Sequence, residues 1–272
     1  MPTVICATCG VEHSDPPPAV CAICADERQW VPADGQHWTT LAELSSRGHH
    51  TRVDVLEPGL LSVTAEPKVG IGHSGYVVTV DSGSLLWDPP GYLDDAAVAR
   101  AGAGGEVLAI AASHPHMFGA QVEWSRALGG VPILVCEPQL EWVARDDSAI
   151  RSWRGRHEIA SGLALVELGG HFAGSSVAHW AAGAQGRGVL LSSDTIHANP
   201  DRATVTFLRS YPNRIPLSAA VAQRVAHGAA ALGFDRLYDN FGRTVDGDAA
   251  GAVRRSAERY ARWVSGEYDH LT

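Results

Sequence analysis

The chain has 272 residues, enough for one large α/β domain or for a domain with a small appendage, and its composition is that of an ordinary globular protein. Its 21 Lys and Arg against 30 Asp and Glu give a net charge of −9, so no basic stripe exists to bind nucleic acid, and a small molecule or a protein is the expected partner. No segment is apolar over the length of a membrane span, and "MPTVICATCG" lacks a basic region followed by a long apolar run, which leads to the expectation of a cytoplasmic protein.

Four of the five cysteines fall at the start as two CxxC pairs, Cys6/Cys9 and Cys21/Cys24. In a chain without a leader, disulfides are disfavoured, whereas two such knuckles joined by a short loop suit four thiolates around one structural zinc ion. A redox pair is the alternative, but a thioredoxin-like CxxC follows a strand and opens a helix, and "SDPPPAVCAIC" does neither. So small a ribbon has little core of its own, and the metal would supply its folding energy. The polar, turn-rich "ADERQWVPADGQHW" places a boundary between about residues 30 and 50. The expected division is a zinc-ribbon segment over 1–40 and a main domain over 41–272.

Strands come next. "TRVDVLEPGLLSVTAE" and "GYVVTVDSGSLLWDPP" alternate or run apolar, and "DSGS" reads as a hairpin turn. "YLDDAAVARAG" is helical and precedes the buried strand "EVLAIAA". A helix over "QVEWSRALGG", a strand "VPILVC" and a helix opened by Pro138 follow. "LALVELGG", "SVAHWAA" and "GVLLSS" are strands, then a helix runs from about Pro216 to Leu232, a strand over "FDRLYDNF" and a final helix over "AAGAVRRSAERYARWV". In that helix Ala252, Ser256, Arg259 and Trp263 recur at helical spacing, as expected of a covering helix. The rhythm predicts an α/β protein with two sheets, each flanked by helices, in four αββα layers.

His114 and His116 follow directly on "EVLAIAA", and the carboxyl ends of strands are where open α/β sheets place their sites. Residues two apart on an extended chain point to one side, so the two imidazoles can chelate a cation. His171 ends a strand among glycines, and Asp194 ends the strand "GVLLSSD".

"SHPHMFGA", "GGHFAG" and "SSDT", in this order, resemble the motifs of the metallo-β-lactamase superfamily, over nearly everything after residue 50. "LLWDPPG" is similar to the superfamily's first motif. The resemblance implies an αββα sandwich with a metal in a groove, held by His114, His116 and His171 with Asp194, and Asp88 as a carboxylate supporting the metal loop. The usual HxHxDH departs here, with Phe118 and Gly119 in place of the Asp and the last His, and where the family's late second-site histidine would stand is "LYDNFGR", with Asn240 or Asp239 but no His, so that only Asp194 remains of that site. The chain should therefore bind one groove metal, zinc or iron, with Phe118 walling the vacated second site.

Such a site implies a mononuclear hydrolase that uses a metal-bound hydroxide on an ester, amide, lactone or thioester, with Asp194 orienting the water. Glu123, His197 and Tyr211 are the candidates for the proton donor. Glu123 reads more readily as a surface residue, and His197 equally as a loop histidine. Cys136 and His179 read as packed, and His73 and Arg243 as rim candidates. An iron-dependent oxidoreductase or lyase on the same fold, and a non-catalytic binding module, are the rival readings. Substrate and oligomeric state are not written in the sequence.

Overall fold

The cysteine segment opens with three short strands in the computed structural model, which describes residues 3–272. β1 (Val4–Cys6) lies between β2 (Glu12–His13) and β3 (Trp38–Thr40), antiparallel to both. One helical turn, α1 (Ala22–Ala25), carries Cys24. α2 (Leu41–Ser46) starts at a capping box in which Thr40 Oγ1 accepts from Glu43 N and the Glu43 carboxylate accepts from Thr40 N.

β4 (His50–Glu57), β5 (Leu60–Glu66), β6 (Ser74–Val80) and β7 (Gly83–Trp87) form an antiparallel meander, as the two hairpin patterns require. The sheet then turns parallel, because helices carry the chain back over it. α3 (Asp95–Gly102), capped by Asp94 accepting from Ala97 N at 2.9 Å, leads to β8 (Val107–Ala111). α4 (Gln121–Ala127) leads to β9 (Ile133–Cys136), and β10 (Ile150–Trp153) closes the seven-stranded sheet beside β9. The helix expected after Pro138 is only a 3₁₀ stretch, Glu137–Trp142: Val143 is already extended, so the run ends before an α-helix can propagate. Ile5, Val11 and Ile23 of the cysteine segment share one continuous core with Leu86, Ile110, Phe118 and Trp124. Met1–Trp153 is one compact unit, cysteine segment included, and Arg154–Thr272 is the other.

The second unit holds a six-stranded sheet. β11 (Arg156–Ala160), β12 (Leu163–Glu167), β13 (Ser176–Trp180) and β14 (Val189–Leu191) run antiparallel, with a turn, α5 (Gly183–Gly186), between the last two. Two small hairpins follow, β15 (His197–Ala198) with β16 (Val205–Thr206) and β17 (Leu208–Ser210) with β18 (Ile215–Pro216). α6 (Ala219–Ala230) then returns the chain to β19 (Arg236–Tyr238), parallel to β14, and β20 (Thr244–Val245) forms the edge. α7 (Ala249–Val264) packs on α6, with Ala252, Val253 and Ala257 in one core with Ala222, Ala226 and Ala229, while the buried Ser256 accepts Val205 N of β16 at 3.0 Å. Ala252 and Ser256 thus lie on the buried face as expected. Arg259 and Trp263 lie on its exposed side, Trp263 being 44% exposed.

Candidate metal centres

The first knuckle is drawn tight by Gly10 N donating to Cys6 O at 2.8 Å and Cys6 N donating to Val11 O at 2.9 Å. Cys6, Cys9, Cys21 and Cys24 are all buried, and their sulfurs lie within 4.8 Å of one another. Sγ of Cys6 is 3.5 Å from that of Cys24, and Sγ of Cys9 is 3.9 Å from that of Cys21, too long for S–S bonds. Four sulfurs so grouped suit one tetrahedral cation. Sequence reasoning missed two neighbours: Gln36 Nε2 donates to Cys6 Sγ at 3.1 Å, and His13 Nε2 stands 3.4 Å from Cys21 Sγ. N–H donors on thiolates offset the excess negative charge of a four-cysteine site.

In the same unit, His114 stands three residues after β8 and His116 lies in a 3₁₀ turn, Pro115–Met117. Asp88, fully buried after β7 and held in the left-handed region at φ 53°, accepts Ser113 N at 2.6 Å and Ser113 Oγ at 3.1 Å. Ser113 Oγ in turn lies 2.9 Å from His114 Nδ1, so Asp88 orients the ring through Ser113 and turns Nε2 to the ligand role. Gln139 Nε2 holds Ser113 O at 3.1 Å, and His73 Nε2 lies 3.2 Å from Pro89 O. His73 thus braces the turn after Asp88. Cys136, at the end of β9, is buried.

In the second unit His171 sits in the β12–β13 connection. Its Nδ1 bonds Leu208 O at 3.0 Å, which again makes Nε2 the ligand atom, 4.0 Å from Asp194 Oδ2. Asp194 follows β14 behind Ser193, whose φ of 49° is left-handed. Its other oxygen, Oδ1, is 3.6 Å from His197 Nδ1, and Asp239 Oδ2 is also 3.6 Å from that nitrogen. Arg243 Nη1 donates to His197 Nε2 at 3.1 Å. A guanidinium only donates, so Nε2 accepts and the proton of His197 resides on Nδ1, facing both carboxylates. Burial pushes the Asp239 carboxyl above its usual pKa, although Phe241 N and Arg243 N donate to its Oδ1. Tyr211 donates to Asp194 O at 3.0 Å, and its ring lies 4.8 Å from that of His197. Burial, and then the charge of Asp194, hold its hydroxyl protonated well above the ordinary tyrosine range. His179 in β13 is packed, with Nε2 3.1 Å from Gly233 O.

His114 and His116 of the first unit and His171 and Asp194 of the second, all four buried, are a group of residues that could hold a metal ion. Three imidazoles and a carboxylate make a donor set fit for one borderline cation such as zinc or iron. His197 and Tyr211 gather around Asp194; Asp239, read in sequence only as a non-ligand, joins them. Glu123 does not. Against the opposing effect of partial burial, Thr3 Oγ1 at 2.6 Å, Arg145 at 2.7 Å and Arg126 hold its carboxylate low, so it is an ion-pair residue and not a proton donor. Phe118, 1% exposed, belongs to the apolar core that the cysteine segment shares.

No family model matches the chain. It is 40% identical, over 99% of its length and 100% of the relative's, to the uncharacterized protein YmaE of Bacillus subtilis (strain 168). The metallo-β-lactamase DIM-1 superposes with a TM-score of 0.58 at 13% identity, covering 77% of this chain and 98% of that one. FIM-1 from Pseudomonas aeruginosa, in its mono-zinc form, superposes with a TM-score of 0.54 at 14% identity, covering 78% and 96%. The chain belongs to the family of YmaE, and its fold is that of the metallo-β-lactamases.

Proposed function

We propose that the protein is a metal-dependent hydrolase of a small molecule with an ester, amide, lactone or thioester bond, working with one metal ion at the His/Asp site. The observation that carries this is the buried donor set of His114, His116, His171 and Asp194; among the described residues the cysteines form the other such group. A divalent cation held there supplies Lewis acidity and lowers the pKa of a coordinated water. FIM-1, on the same fold, is known in a mono-zinc form, in keeping with one ion.

The chain's own residues do the rest. Asp194 accepts the proton of the attacking water and orients it, while Tyr211, bonded to Asp194 O, fixes that turn. His197 carries a proton on Nδ1 between Asp194 and Asp239, and Arg243 keeps the other nitrogen an acceptor. Asp239, whose carboxyl burial pushes above its usual pKa, holds the proton that the leaving group needs and His197 positions it, the task for which sequence reading offered Glu123, His197 and Tyr211. The cysteine site takes a zinc ion for structure.

Metal analysis and a substrate panel test the reading together. Two metals per chain are expected, one lost in a Cys6→Ser/Cys9→Ser variant and the other in His114→Ala/His116→Ala, with hydrolysis lost in the latter. Turnover that consumes dioxygen on iron would overturn the hydrolase reading.

A further inference from the structure

β2 consists of two residues, Glu12 and His13, and alternation along a strand sends their side chains to opposite sides. His13 turns toward the cysteines, with Nε2 3.4 Å from Cys21 Sγ. Glu12, 2% exposed, reaches the loop that carries His114 and His116. Its carboxylate accepts the N–H of Val122 and a 2.8 Å bond from Arg145, and its own N–H donates to Gly119 O at 2.9 Å. Ser14 N donates to Ala144 O at 3.1 Å beside it.

The loop is held at three places. Asp88 and Ser113 hold its start, Pro90 O accepts Ala120 N at 3.3 Å and Trp124 Nε1 at 3.1 Å, and Glu12 holds its end. The third hold belongs to the cysteine segment. Arg145, which completes it, is shared with Glu123 of α4, so one guanidinium joins both carboxylates to the segment before β10. A two-residue strand has too few pairs to stay in place unaided, and it lies between Cys9 and Cys21. Closing the four sulfurs on a cation fixes both of its ends.

We propose that β2 couples the two metal sites, so that filling the cysteine site raises the affinity of the His/Asp site for its metal, with Glu12 as the positioning residue. The coupling rests on the metal-binding reading of the His/Asp site given above. An emptied cysteine site loosens β2, the loop loses its Glu12 hold, and His116, three residues before Gly119, is no longer kept in place for the ion. Linkage makes the effect reciprocal: metal at the His/Asp site tightens zinc at the cysteines by the same factor.

Cobalt(II) titration of the full chain reads both sites at once. Thiolate-to-cobalt charge transfer in the near ultraviolet marks the cysteine site, and d–d bands without it mark the His/Asp site. The expected result is an affinity at the His/Asp site about tenfold higher when the cysteines are filled. Glu12→Gln should keep the charge-transfer band, lose about tenfold at the His/Asp site, and abolish the dependence between the sites. If Glu12→Gln loses the charge-transfer band through misfolding, Arg145→Gln, which removes the guanidinium that Glu12 shares with Glu123 and leaves the bonds of Glu12 to Val122 and Gly119, is the variant read. Equal His/Asp affinity in wild type and variant, with no dependence on the cysteine site, overturns the coupling alone. A wild type that titrates like His114→Ala/His116→Ala overturns the metal-binding reading and the coupling with it.

Discussion

Gly119 stands so close to Pro89 that a Cβ built on it would lie 1.9 Å from the Pro89 carbonyl oxygen, and its φ is +51°. The residue that occupies the place of a second-metal histidine thus cannot carry a side chain without moving the turn after Asp88. Gly119→His should therefore add no metal, and Gly119→Ala should already cost more than about 2 kcal/mol through the clash and the left-handed backbone. Denaturation and metal counts of both variants check this; an additional bound metal in Gly119→His at unchanged Tm would contradict it.

The physical reasons why some of this was legible in sequence are local. His114 and Asp194 follow apolar strands, and strand ends in such sheets are where functional groups gather, so their positions could be read from the pattern, whereas Asp88 came only with the resemblance of "LLWDPPG" to a family motif. The cysteine spacing is likewise self-contained. Asp239 could not be read, because its role depends on His197, 42 residues earlier, meeting it across the fold. The ion pairs of Glu123 are out of reach for the same reason: nothing near it in sequence announces Arg145 and Thr3. β10 and β11 escaped notice because they are edge strands with largely exposed side chains and carry no apolar alternation. Which residues of the last helix are buried is not set by hydrophobicity either: Trp263 is exposed, while Ala252 and Ala257 share a core with Ala222, Ala226 and Ala229.

Asp88 offers a second check. Its two oxygens accept both hydrogen bonds from Ser113, and an amide in its place turns one acceptor into a donor facing Ser113 Oγ or N. Asp88→Asn should leave the cysteine metal in place and weaken the His/Asp metal by about 10- to 100-fold, the usual cost of losing such a supporting carboxylate. Competition with a chromophoric chelator gives the number; an unchanged affinity would mean that Ser113 alone orients His114.

Glu12 makes stability depend on pH. Burial pushes its carboxyl from the usual 4.5 up to about 7, against the opposing pull of Val122 N–H and Arg145. Between those values the folded chain keeps a proton that the unfolded chain has released, so stability is highest below the window and falls as pH rises through it. The full effect is roughly 3 kcal/mol. Glu12→Gln cannot titrate, so over pH 5 to 8 the wild type should lose more stability than the variant in the same metal state. Parallel denaturation curves for the two proteins across that range would show that Glu12 stays charged throughout.

The proton held by His197 and Asp239 should matter most when the leaving group is basic. A nitrophenolate departs without help, whereas an alkoxide or an amine must be protonated as it leaves. His197→Gln and Asp239→Asn should therefore lower kcat about 10²- to 10⁴-fold on alkyl esters or amides and far less on nitrophenyl esters. Neither residue is among the four grouped donors, so metal content should stay at the wild-type value. Equal losses on both kinds of substrate would place His197 in water activation beside Asp194, and loss of the metal would make it part of the ligand set. The two carboxylates predict a further difference. Asp194→Asn should release the metal as well as the activity, while Asp239→Asn, 3.6 Å from the same imidazole, should separate the two.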